Sequence, residues 1–278
     1  MKIVEAPEGG DYIARARELA PVITAEAEEI EYRHELPRSL RERLIEAGFF
    51  RLLLPRSLGG AELLPLAFVQ VIEEIAKADA SVAWCLNQTA GCSMTAAFLD
   101  REPARKVFGR PDGILAWGPG PGEARLCDGG YRITTTFSFA SGSHEASWLG
   151  AHLPVVDRAG RPLRHPDGGQ VTHTFLFPKS AARMTEIWHV IVLKGTGSDQ
   201  YSVDDLFVPA AFCVARDDDR ARREHGLLYD FSSLQLYASG FAGVAMGLAR
   251  AILDAFVDLA RQKIPRGSKC ILRDDNLV

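Results

Sequence analysis

Three short segments hold the residue types that could meet a bound small molecule. The first is Phe137-Ser138-Phe139-Ala140-Ser141-Gly142-Ser143, followed directly by His144. Ser141 supplies a hydroxyl that can both donate and accept a hydrogen bond. The second is Trp117-Gly118-Pro119-Gly120-Pro121-Gly122, whose glycines let the backbone come close to a planar ligand. The third is Lys194-Gly195-Thr196-Gly197-Ser198, whose backbone N–H groups and hydroxyls suit a phosphate. Each segment also has a plainer reading. Ser and Gly are common turn residues, and Pro/Gly runs join elements. Lys194 precedes its glycines, so the third segment is not a Walker loop.

Other candidates are single residues. Trp84, Asn87, Gln88 and Cys92 fall on one apolar helix, with Trp84 and Gln88 sharing a face. His144 follows the first segment and is a candidate for substrate contact. The remaining histidines, His34, His152, His165, His173, His189 and His225, show no metal-ligand spacing, so no metal is expected. No G-x-S-x-G, H-E-x-x-H or Rossmann G-x-G-x-x-G pattern occurs. Cys85, Cys92, Cys127, Cys213 and Cys270 include no C-x-x-C pair. That fits reduced thiols in a cytoplasmic protein.

The elements that must position these segments change along the chain. Residues 1–112 read as a helical domain. Leu40, Leu44, Ile45 and Phe49 lie on one helix face, with Pro37 and Ser39 at its start. Phe68, Val71, Ile72 and Ile75 mark another helix, and Ala80 to Leu99 a third. Residues 113–215 read as a β-barrel or sandwich. Its strands are Tyr131–Phe137, Trp148–Val156, Thr172–Phe177 and Tyr201–Val208. Residues 216–278 read as part of a helical bundle. Its long helix is apolar around much of its circumference, which predicts burial on several sides and self-association as a dimer or tetramer. Arg250, Asp254 and Asp258 interrupt that helix and argue against a membrane span. The fold class is α+β. A net charge of −4 gives no general reason to bind nucleic acid or an anionic membrane. The first residues, Met1 to Glu5, carry no apolar signal-peptide core.

The three segments and their order resemble the acyl-CoA dehydrogenase superfamily. Gly48-Phe49-Phe50, Leu54-Pro55, Gly59-Gly60 and Asp79 to Trp84 fit the same plan. The resemblance implies a flavin, FMN or FAD, lying against Trp117, Phe139, Ser141 and Gly142, with Lys194, Thr196 and Ser198 nearby. It implies that Ser141 hydrogen-bonds flavin N5 or the oxygen carried by the flavin, and that Trp84, Asn87 and Gln88 face substrate. Phe-Ala-Ser-Gly in place of Trp-Ile-Thr-Asn, and the missing Thr-Glu-Pro, resemble the two-component monooxygenases. Those enzymes use reduced flavin from a separate reductase, with O2, on small aromatic or heterocyclic substrates. An FAD-dependent acyl-CoA dehydrogenase is the alternative. A second alternative is an inactive fragment or partner-binding subunit, because the family's later bundle helices and general base have no counterpart before Val278. No general base is named.

Overall fold

The computed structural model describes residues 9–274. The chain start, read above as lacking a secretory signal, lies outside them, as does the final stretch ending at Val278. Six helices come first: α1 (Gly9–Ala25), α2 (Ala27–Arg33), α3 (Arg38–Glu46), α4 (Pro65–Ala78), α5 (Ala80–Ser93) and α6 (Arg101–Phe108). Pro37 occupies the N-cap position of α3 without a side-chain hydrogen bond, and Gly48 takes the left-handed conformation just beyond its end. Asp79 caps α5 by accepting the Val82 amide at 2.9 Å, and burial raises its carboxyl pKa. The helix expected over Ala80 to Leu99 is α only to Ser93 and continues as a 3₁₀ turn from Met94 to Phe98.

Eight strands follow: β1 (Leu115–Ala116), β2 (Gly122–Cys127), β3 (Gly130–Phe137), β4 (Trp148–Val156), β5 (Thr172–Pro178), β6 (Arg183–Thr185), β7 (Gln200–Pro209) and β8 (Cys213–Val214). They run in the order β6-β7-β3-β2-β4-β5-β8, with β1 beside β4. A short parallel pairing of β2 with β4 joins two antiparallel leaves. β6 and β8 end the path, and no pairing closes one onto the other among the described residues.

The last helix is α7 (Ser233–Ala260), started by a Ser232/Gln235 capping box. Gly240, Gly243 and Gly247 form a stripe at spacings of three and four that lets α7 lie close along α4 and α5. A Cβ on Gly247 would sit 2.5 Å from Ala76 Cβ, and one on Gly243 2.9 Å from the Val69 carbonyl. Burial on several sides is not what the structure shows. Only Leu236, Gly240, Gly243, Val244, Gly247 and Ala260 are buried, while Leu234, Ile252, Leu253 and Phe256 are exposed. By length and composition α7 is apolar enough to cross a membrane. The described neighbours cover the one stripe that packs on α4 and α5.

Candidate functional site

Strand pairing explains why two segments some fifty residues apart in sequence meet. β3 and β7 are antiparallel, with Phe137 opposite Tyr201 and their rings stacked at 5.6 Å. The chain leaving β3 therefore runs beside the chain entering β7. The Ala140 amide donates to the Asp199 carbonyl at 3.1 Å, extending the contact past the strand ends. Ser141 and Ser198 face each other there, with their hydroxyl oxygens 2.6 Å apart. Ser198 bonds in turn to Thr196 at 2.7 Å, and Thr196 donates to the Leu193 carbonyl at 2.9 Å. Trp84, reaching across from α5, donates its indole N–H to Ser141 Oγ at 3.0 Å. Four residues singled out in the sequence thus form one hydroxyl network. With the indole N–H and Ser198 as partners, Ser141 Oγ keeps capacity for one further hydrogen bond.

Two backbone positions shape the turn. Phe139 has φ +55° and an exposed side chain, an unfavourable combination for an aromatic residue. Gly142 has φ +78°, and a Cβ there would lie 2.6 Å from Thr89 Cγ2 on α5. The turn is thereby held against α5 while the Phe139 ring is pushed outward. Phe139 packs edge-on against Trp188, with ring centroids 6.0 Å apart.

The Phe139 ring lines a cleft of about 450 Å³ between the strands and α7. Trp117, Gly118 and Gly120 form one wall, Tyr237 and Phe241 of α7 another, and Gln88 of α5 the floor. Arg216 also lines it, with its guanidinium 5.2 Å from the centre of the Trp117 ring. Arg216 Nε is buried, makes no hydrogen bond and lies 3.9 Å from Asp217 Oδ1. Flat aromatic walls, close backbone and a guanidinium suit a planar heterocycle that accepts hydrogen bonds. Tyr237 lies under the cleft with its hydroxyl 3.3 Å from Cys92 Sγ; burial raises both the phenol and the thiol, the thiol to about 11.

A second cavity of about 640 Å³ opens between α2, α5, α7 and residues 192–195, and is mainly apolar. Trp84 and Lys194 line this one, and Phe241 lines both. Trp84 and Phe241 pack with centroids 4.8 Å apart, so this pair divides the two volumes.

The remaining candidates sit elsewhere. Lys194 pairs with Glu31 at 2.7 Å, and that contact lowers the Glu31 carboxyl pKa. Asn87 is fully buried beneath Gly240 of α7 and lines neither cavity. His144 does not line the cleft. Its Nδ1 lies 3.0 Å from Glu35 and its Nε2 2.9 Å from Asp199, which ties the end of α2 to the start of β7. Arg216, Tyr237 and Phe241 were not singled out for chemistry. The two aromatics are part of an ordinary helical apolar repeat. Arg216 stands at the head of an Arg-Asp-Asp-Asp run that carries no recognisable pattern.

The fold agrees with that of known proteins. Residues 13–107 match the family model for the acyl-CoA dehydrogenase N-terminal domain. The oxygenase subunit HsaA of a flavin-dependent monooxygenase from Rhodococcus jostii is 30% identical over 194 residues, covering 69% of this chain and 48% of that protein. An indole-3-acetate monooxygenase from Pseudomonas putida is 29% identical over 238 residues, covering 85% of this chain and 58% of that protein. Among solved structures, XiaF from Streptomyces sp. in complex with FADH2 and glycerol superposes with a TM-score of 0.86. It is 22% identical and is covered over 97% of this chain and 68% of its own. The HsaA monooxygenase from M. tuberculosis gives 0.82 at 25% identity, covering 91% and 69%. The chain shares the acyl-CoA dehydrogenase-like fold, and residues 13–107 carry that family's N-terminal domain. It spans about half the length of the curated relatives it matches.

Proposed function

We propose that this chain forms the flavin-facing part of the oxygenase component of a two-component monooxygenase, acting on a small aromatic or heterocyclic substrate. The observation that carries the reading is the cleft itself. Trp117, Phe139 and Phe241 line it, Phe139 is held in a left-handed conformation, and Arg216 adds a guanidinium to the lining. The names of the relatives supply the chemical class: flavin-dependent monooxygenase, indole-3-acetate monooxygenase and FADH2-dependent resorcinol hydroxylase.

The residues fit a flavin. Trp117, Phe139 and Gly118 would lie against its rings, Ser141 Oγ, whose one proton goes to Ser198, could accept one further hydrogen bond, and Arg216 would meet a carbonyl oxygen or other negative charge. When bound, reduced flavin supplies the two electrons that let O2 place one oxygen atom in the substrate and release the other as water. The chain's part is to hold the rings in an aromatic-walled cleft away from solvent. His144 is a positioning residue in this reading, fixing Asp199 and hence the Ser198 side of the hydroxyl network.

A separate flavin reductase belongs to this reading, as does a cytoplasmic setting. Self-association is supported by the exposed apolar residues of α7. The loss of Thr-Glu at the Trp117 loop separates the reading from an acyl-CoA dehydrogenase. The test supplies enzymatically reduced FMN or FAD, ¹⁸O₂ and a panel of phenols and indoles. One labelled oxygen in a product is the expected result. Oxidised flavin with no labelled product from any panel member would overturn the proposal.

A further inference from the structure

His34, Glu186 and His189 converge on one surface point although the sequence separates His34 from the other two by most of the β-region. A nitrogen of each imidazole and a Glu186 carboxylate oxygen all lie within 4.8 Å of one another. His34 is half-buried and the other two are exposed. We propose that these three residues bind a d-block divalent cation, zinc being the expected ion, and that the ion clips the end of α2 to the turn after β6.

The donor set selects the ion class. Two imidazoles and one carboxylate suit zinc, copper or nickel, whereas magnesium and calcium require oxygen donors. Three protein ligands plus water is a common zinc arrangement. Bonds of about 2.1 Å place tetrahedral donors about 3.4 Å apart. The donor atoms therefore need to close by about 1.4 Å at most, the gap from 4.8 Å. Rotation of exposed side chains supplies such a shift. The rings leave room for it, being 6.3 Å apart and inclined at 66° rather than stacked.

Both halves of the site stand on fixed backbone. Between the two β-side ligands, the Ile187 and Trp188 amides donate to Asp199 Oδ1 at 2.8 and 3.0 Å. The Trp188 indole N–H holds the Leu193 carbonyl at 3.0 Å, and the His189 amide closes a turn onto the Ile187 carbonyl at 3.0 Å. On the other side, His34 ends α2 at φ +59°, with its carbonyl pressed against Gly197. The next residue, Glu35, bonds to His144, which bonds to Asp199. Asp199 thus anchors both halves, so little ordering entropy remains to oppose binding. Glu186-Ile187-Trp188-His189 has the Glu-x-x-His spacing, but on a turn instead of a helix, and its third ligand cannot be found from spacing. The Leu193 carbonyl also accepts Thr196 of the hydroxyl network, so occupancy would stiffen the segment that borders the second cavity.

The test is calorimetric titration of the chelator-stripped full chain with Zn²⁺ and, separately, with Mg²⁺. The site predicts one tight Zn²⁺ equivalent and no Mg²⁺ binding of comparable strength. His189→Ala and His34→Ala each weaken the zinc event at least tenfold, and Cys270→Ser leaves it unchanged, which separates the site from thiol binding. Zinc also raises the melting midpoint of the wild type but not of His189→Ala. Far-ultraviolet circular dichroism of each variant confirms that it is folded. Zinc binding that survives in a folded His189→Ala variant, or a wild type that binds zinc no better than magnesium, would overturn the proposal. No flavin is involved, so the result stands apart from the proposed oxygenase function.

Discussion

Replacing Gly142 by alanine introduces two penalties that can be measured separately. The backbone there has φ +78°, which costs an L-residue with a Cβ about 1–2 kcal/mol. The new Cβ also falls 2.6 Å from Thr89 Cγ2, an overlap in a well-packed interior that costs about 1–3 kcal/mol. Gly142→Ala is therefore expected to lower the unfolding free energy by about 2–5 kcal/mol. Thr89→Ser removes only the offending methyl and keeps the hydroxyl that donates to the Cys85 carbonyl at 2.8 Å. Alone it costs about 1 kcal/mol for one buried methyl. Combined with Gly142→Ala it relieves the clash but not the backbone strain. The double variant is then more stable than the sum of the singles by about 1–3 kcal/mol. Denaturant unfolding of all four proteins, compared at constant slope, gives this coupling directly. Additivity to within about 0.5 kcal/mol would refute the reasoning, because Gly142 would then not be there to make room for α5.

Ser141→Ala strips the Trp84 indole N–H of its acceptor and Ser198 of one partner, and should cost about 1–3 kcal/mol. Ser198→Ala should cost a similar amount, with the double variant less than additive because the two share a bond; a strictly additive pair would contradict the network. Glu145 is buried, its Oε2 has no partner, and burial raises its carboxyl pKa above the usual range. A raised folded pKa contributes stability that is present below the unfolded value and lost as pH rises through the folded one. Glu145→Gln should therefore gain on the wild type between about pH 5 and about pH 8, read from unfolding curves at both; a gap that does not change with pH would count against it.

Much of this was legible from residue patterns. The ranges for β4, β5 and β7 follow from β-rich runs bounded by Gly, Pro and Asp clusters; burial alternates only in the first part of β7, while β4 is covered along nearly its whole length. Ser141, Ser198, Thr196 and Trp84 were each identified, and the structure brings them together. What the sequence hid were residues whose role depends on tertiary approach. Arg216 stands beside three aspartates and looks like a solvated charge run until Trp117 is seen beneath it. Tyr237 and Phe241 look like bundle core, yet α7 buries only its glycine stripe with Leu236, Val244 and Ala260, and these rings line the cleft. His144 follows the Phe139–Gly142 motif, but the left-handed Phe139 and the Gly142 turn carry it away from the cleft, between two carboxylates.

The most direct test of the central claim is the affinity of the purified chain for flavin in each redox state. FMN and FAD are titrated oxidised, and again anaerobically after reduction, with Arg216→Gln and Phe139→Ala alongside the wild type. The account predicts clear preference for reduced flavin, weakened at least tenfold by either substitution. Tight binding of oxidised FAD that is indifferent to both substitutions would contradict it.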